Sequence, residues 1–333
     1  RRFRGAGGKA HRSGFPVDHP AVVVPTAELE LFVVLLDAIA NHRGCGKVEW
    51  RSGNRTQFAG RNERIVDGGK AVGDDLEALG PLRIGGSGPE VDRLEWDVKT
   101  YLALNGANHD AAIVGWGVKG YYDSSRPISM IRYMGGLGQS SDPDGPSYDP
   151  DGLLLEPGLV EVVTSESSAP GERHAGLADH VGEVAIWAWS GTPVDPDSDV
   201  AGVGWILAVD WVPYQRPTFV TPSFAGYVSG HSTFSRASAE VLTAITGSEF
   251  FPGGLGEWRI EADSLEFEAG PDDDIVLQWA TYADASDEAG ISRLYGGIHV
   301  PADDVRGREM GHECGVGAWA LAEQYFDGTV SAG

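Results

Sequence analysis

The sequence predicts a mainly α-helical protein with long connecting loops. Two observations carry that prediction. Apolar residues recur at three- and four-residue spacing over long segments, and no series of alternating strands is evident. The intervening stretches are rich in Gly, Pro and charge and keep no period, as loops between helices do. A chain of 333 residues can bury a sizeable core in one large domain or two ordinary ones.

The first expected helix is Thr26 to Arg43, with Thr26 as its N-cap and Gly44 as its stop. Residues 44 to 90 read as irregular. The division expected is therefore an N-terminal part over 1–90, holding one helix and an irregular segment, and a helical domain over 91–330. From Asp92 to Gly120 a long buried helix is expected, with Asn105-Gly106 as the place where it would be interrupted. Ser141 to Gly152 ("SDPDGPSYDPDG") reads as a polar loop, because its prolines and spacing do not fit an EF-hand. Further helices are expected at Ala178–Trp189, Ala201–Trp211, Ser232–Thr246, Ile275–Ala289 and Asp304–Phe326, with an acidic connection between Gly253 and Asp274.

Composition excludes some functions. Against 25 Lys and Arg stand 49 Asp and Glu, a net charge of -24. That opposes nucleic-acid binding, which rests on neutralising phosphates. No apolar run reaches the ~18 residues that a membrane span requires. A soluble protein is expected; periplasmic and secreted settings both fit, and the compartment is not fixed. The opening "RRFRGAGGKAHRSGF" has neither a methionine nor a hydrophobic signal core, which points to a processed or trimmed chain. Cys45 and Cys314 make neither a metal motif nor a disulfide framework; two isolated thiols are expected.

Four polar segments lie beside expected helix ends. In "GYVSGHSTFS", Ser229 and Gly230 suit a helix start, and His231 follows. This is either a cap alone or an anion site made of backbone N–H groups, a hydroxyl and an imidazole. "KGYYDSSRP" places Lys119 at the end of the long helix and Arg126 seven residues on, with Pro127 ending a turn. "SRLYGGIH" places His299 six residues after Arg293. "HVPAD" puts Asp303 four residues after His299, where a carboxylate could orient the ring. Three cations sharing one cleft of so acidic a chain would be costly without an anion between them. Lys119, Arg126 and Arg293 would neutralise an oxyanion, while Ser229 and the Gly230 N–H would bond its oxygens. His299 and His231 would approach its central atom from opposite sides.

K-x6-RP, SGH and SR-x5-H, in that order, resemble the superfamily joining type 2 phosphatidic acid phosphatases, bacterial acid phosphatases and vanadium-dependent haloperoxidases. The match runs from Lys119 to His299 and fills all seven expected positions; Val228 stands where many members have proline. The resemblance implies a helical bundle of the acid phosphatase and vanadium haloperoxidase type, with Asp303 supporting His299.

Two activities follow from it. A haloperoxidase would hold vanadate with His299 bonded to the vanadium, and oxidise halide to hypohalous acid with hydrogen peroxide. Lys119 and His231 would then be catalytic, and phosphate would compete with vanadate. A soluble acid phosphatase would use His299 as nucleophile and His231 as general acid. Trp116, three residues before Lys119, and Phe224, seven before His231, match positions near the halide in haloperoxidases and favour that activity. Hydrogen peroxide, a halide and an organic acceptor are the partners implied. Larger members carry another helical bundle before the lysine motif. Here about 118 residues precede Lys119, so a longer native product, a homo-oligomer or an additional subunit covering the helices is expected.

Overall fold

The computed structural model describes residues 80–330. The expected helix Thr26–Arg43, the irregular segment up to residue 79, and Cys45 lie outside those residues. Five helices and five short strands make up the described part. They are α1 (Arg93–Tyr122), α2 (Pro127–Leu137), β1 (Val160–Val162), β2 (Val184–Trp189), β3 (Val203–Leu207), α3 (Gly230–Thr246), β4 (Gly256–Ile260), β5 (Ile275–Trp279), α4 (Tyr282–Tyr295) and α5 (Pro301–Phe326).

The long helix α1 begins where the Asp92 carboxylate accepts the Glu95 N–H. It ends at Asp123, a left-handed residue (φ 44°) whose N–H returns to the Lys119 carbonyl. No interruption occurs at Asn105-Gly106. Asn105 Nδ2 bonds the Tyr101 carbonyl one turn back, and Gly106 faces open space, so that glycine costs only its propensity, ~1 kcal/mol. Ala103, Leu104, Ala107 and Ala111 form the inner face and meet Ala237 and Val241 of α3 and Ala318 and Ala322 of α5. Leu94, Val98, Leu102 and Ile113 line an exposed outer ridge of the same helix.

Helices α3 and α5 lie against each other almost backbone to backbone. Gly307, Gly311 and Gly315, one turn apart on α5, make this approach possible. A Cβ at these positions would stand 2.8 Å from the Ser229 carbonyl, 2.3 Å from that of Thr233 and 2.6 Å from that of Ala237. Helix α4 packs against α3 and also touches α5. Its start is fixed by a capping box in which Thr281 and Asp284 each bond the other's backbone N–H.

Several expected elements differ. Pro127 does not end a turn but opens α2 at its first position, where a missing N–H costs nothing. Ala178–Trp189 is not a helix: a short 3₁₀ turn ends near His180, Gly182 (φ 98°) turns the chain, and β2 follows. Ala201–Trp211 is likewise β3 followed by one 3₁₀ turn. In both segments Val, Ile and Trp are prominent and pair across strands, Ile186 with Ile206 and Trp187 with Trp205, which outweighs their weak helical period. With β1 they form an antiparallel sheet in the order β1-β2-β3, and its inner face packs on Ile131 of α2. Ile275–Ala289 divides: Ile275–Trp279 is β5, paired antiparallel with β4 from the acidic connection, and the helix starts only at Tyr282. The bundle of α1, α3, α4 and α5 thus carries small sheets built from its long connections.

Candidate oxyanion site

The carboxyl end of α1, the amino end of α2, the first turn of α3, the last turn of α4 and the loop entering α5 converge. Each brings one part of the set expected from the sequence. Lys119 sits in the last turn of α1, only 2% exposed, and its Nζ donates to the carbonyls of Ala225 (3.0 Å) and Gly226 (2.9 Å). Arg126, the residue before α2, donates Nε to the Phe224 carbonyl (3.0 Å) and Nη2 to Ala225 (3.3 Å). The loop before α3 is therefore held by two cations through its carbonyls. Ser124 holds the same loop, accepting the Tyr227 N–H at its Oγ (2.8 Å) and the Gly226 N–H at its carbonyl (3.2 Å). A Cβ on Gly226 would come within 3.2 Å of the Asp303 carboxylate.

Ser229 is the N-cap of α3; its Oγ accepts the Ser232 N–H at 3.3 Å. The cap and the anion readings coexist here. Helix geometry leaves the N–H groups of Gly230 and His231 without intrahelical acceptors. His231 stays partly accessible. Burial, then the positive charge of Arg293, Lys119 and Arg126, holds its pKa well below the ordinary imidazole value.

His299 and Asp303 are both buried. His299 Nδ1 lies 2.8 Å from Asp303 Oδ2, and its Nε2 lies 3.1 Å from Arg126 Nη1, which also donates to the Ile298 carbonyl at 2.8 Å. A carboxylate on one nitrogen and a guanidinium on the other fix the tautomer: Nδ1 carries the proton and Nε2 the lone pair. Burial brings the His299 pKa down to about 4 despite the bond to Asp303 that favours the charged ring. Burial, reinforced by repulsion from Arg126, brings Lys119 down to about 8. Arg126 is likewise lowered to about 10, first by burial and then by Arg293, with Asp303 opposing. Arg293, buried in the last turn of α4, completes the charge.

Trp116 and Phe224 stand over the lysine. Their ring centroids are 5.2 Å apart, and Lys119 Nζ lies 5.7 Å from the Trp116 ring and 5.3 Å from that of Phe224. Arg126 Cζ is 5.3 Å from the Phe224 ring. Both rings are more than two-fifths exposed, so they form a wall of the site and not part of the core. Gly230 lets this wall approach: a Cβ there would meet the Trp116 ring at 3.3 Å.

All ten expected residues thus fall in one place. The sequence did not indicate the carbonyls of Phe224, Ala225 and Gly226 that fix the two cations, since main-chain acceptors carry no residue signature.

With this geometry the comparisons are informative. The family model "VCPO second helical-bundle domain" matches residues 99–328. The chain belongs to the vanadium haloperoxidase family. Among solved structures, an apo-type bacterial vanadium-dependent chloroperoxidase aligns over 91% of this chain and 50% of its own, with 18% identity and a TM-score of 0.53. The holo-type bacterial vanadium-dependent chloroperoxidase aligns over 81% and 50%, with 15% identity and a TM-score of 0.43. A bacterial vanadium-dependent iodoperoxidase shares 28% identity over 35% of this chain and 24% of its own, with a TM-score of 0.26. The chain therefore spans half the length of the chloroperoxidases it matches. Comparison with curated protein sequences gives no significant match. Among the described residues of this family member, no helix is long and apolar enough to cross a membrane.

The residues present fit vanadate. Three buried cationic side chains, a helix start and a hydroxyl surround a neutral imidazole nitrogen, and the Asp303 carboxylate beside them is engaged by His299 and the Val300 N–H. That donor set suits a small tetrahedral oxyanion.

Proposed function

We propose that this protein is a vanadate-dependent haloperoxidase, oxidising halide to hypohalous acid with hydrogen peroxide, with an organic acceptor taking the halogen. The observation that carries the reading is His299: its Nε2 keeps a lone pair among three cations because Asp303 holds the proton on the opposite nitrogen. Nε2 would be the protein's bond to vanadium. Lys119, Arg126, Arg293, Ser229 Oγ and the Gly230 N–H would hold the oxygens. Bound vanadate would supply Lewis acidity without changing oxidation state.

The chain's own residues do the rest. His231, whose charged form is disfavoured first by burial and then by its positive neighbours, accepts a proton from hydrogen peroxide at a ring nitrogen and can return it to a departing oxygen. Lys119 keeps its charge at neutral pH and would set that charge against an oxygen of the bound group. Trp116 and Phe224 exclude water beside that oxygen and offer positive ring edges to an approaching anion.

The test is reconstitution. Orthovanadate added to the metal-free chain should produce peroxide-dependent bromination of a phenolic dye, and phosphate should suppress it. Phosphate release from p-nitrophenyl phosphate without any bromination would assign the site to the acid phosphatase branch instead.

A further inference from the structure

Directly behind the site lies a second buried polar cluster that the proposed chemistry does not use. Asp304, next to Asp303, is 4% exposed. Its Oδ1 accepts from Arg308 Nε (2.9 Å) and its Oδ2 from Arg308 Nη2 (2.6 Å). Arg308 is anchored in turn on Asp287 of α4, at the carbonyl (3.0 Å) and the carboxylate (2.9 Å). This two-point pairing already satisfies the Asp304 charge. The carboxylate nevertheless makes a third bond, from Ser232 Oγ at 2.7 Å, and Ser232 is the residue after His231. Gly290 makes room for it, since a Cβ there would stand 2.2 Å from Asp304 Oδ1 and 3.0 Å from Ser232 Oγ. Arg293 lies one turn beyond Gly290 on α4.

We propose that Asp304 is a positioning residue, which through Ser232 fixes the first turn of α3 and so presents His231 to the oxyanion in a single orientation. The first turns of α3 and α5 are joined at two points, the Ser229 N–H on the Asp303 carbonyl (2.9 Å) and Ser232 on Asp304. The main-chain bond sets the position of the turn; the side-chain bond sets its rotation about the helix axis. His231, between the two anchors, depends on both. The proposal rests on the assignment of His231 as the proton-transfer group, and its structural part can be read without turnover.

Ser232→Ala deletes the bond to α3 and leaves the Asp304–Arg308–Asp287 pairing whole. In the full chain, orthovanadate affinity by calorimetry should stay within about twofold and the thermal midpoint close to that of the parent. The kcat for bromide oxidation should fall about tenfold, the low end of the effect of an orienting partner, with KM for peroxide unchanged. Amide hydrogen exchange over Gly230–Thr233 should rise. Asp304→Asn, which keeps an acceptor toward Ser232, should retain more kcat than Asp304→Ala. Unchanged kcat in Ser232→Ala, or a lower thermal midpoint with normal kcat, overturns the proposal. If the parent chain shows no vanadate-dependent turnover, the functional reading fails by itself. Exchange at Gly230–Thr233 then decides, and no change there in Ser232→Ala overturns the positioning role.

Discussion

Asp303, in the first turn of α5, holds His299 of the preceding loop through Nδ1 at 2.8 Å, and the same carboxylate oxygen accepts the Val300 N–H. A residue placed to cap the start of α5 is thereby also the one that sets the tautomer of the histidine before it. Its main-chain carbonyl accepts the Ser229 N–H, so the two histidine-bearing segments share one support.

The two histidines should fail differently. His299→Ala removes the proposed bond to vanadium and should weaken orthovanadate binding by more than about 100-fold, beyond the loss expected for a supporting residue. His231→Ala should keep affinity within a few-fold and lose about 10²–10⁴ in turnover, the usual range for a general acid–base. Vanadate titrations and steady-state rates on both variants check this. Equal losses of affinity would contradict the division of roles.

Oxyanion affinity should decline as pH rises above about 8, where Lys119 loses its proton in the anion-free protein. Stability of that form runs the other way. Between about 8 and the ordinary 10.5 the unfolded chain holds more protons at this lysine, so this group raises stability as pH climbs through the window. His299 acts in the acid range: the unfolded ring protonates near 6.5 and the folded one near 4, so its contribution is lost as pH falls between them. Urea titrations of the anion-free chain across pH, beside phosphate-binding isotherms, measure both. A flat isotherm from pH 7 to 10 would remove Lys119 from the anion's partners.

Phe224→Ala should lower turnover with bromide and chloride while leaving orthovanadate affinity nearly intact. The ring lines the site and touches Arg126 only through its face, whereas the main-chain carbonyl that accepts the Arg126 Nε bond is kept by alanine. Kinetics with iodide, bromide and chloride decide the matter. Unchanged halide kinetics would place the halide's approach elsewhere.

Gly311→Ala should cost about 1–3 kcal/mol of stability, because the added methyl would meet the Thr233 carbonyl at 2.3 Å and force α3 and α5 apart. Gly317→Ala on the same helix serves as the contrast, with nothing within 4 Å of its Cβ, and should be neutral or slightly stabilising. Thermal unfolding of the two variants checks this, and equal midpoints would mean the helices separate without penalty.

The legible parts of this chain were those with short-range causes. Asp92 and the long apolar period gave α1 nearly to the residue, and Ser229 with Gly230 marked the start of α3. The site was legible because its side chains are tied to helix ends, in motifs that resemblance could assemble. The strands were not. Residues 184–189 and 203–207 are strands by virtue of each other, and a period of two over five or six residues is easily read as part of a helix. Asp304 escaped notice for a similar reason, since its meaning depends on Gly290, Ser232 and Arg308 meeting in space.

The glycine stripe of α5 has a consequence for how the site meets its anion. Because Gly307, Gly311 and Gly315 put two main chains in contact, the spacing between the helix carrying His231 and the one carrying Asp303 is set by peptide groups, which have no rotamers to reshuffle. The ordering cost of gathering the donors is thus met during synthesis and folding of the chain, not at each encounter with ligand. Capture of the anion becomes an exchange of water for oxygens in a preset frame, fast and with little reshaping, and specificity falls to the size and charge of the ion itself.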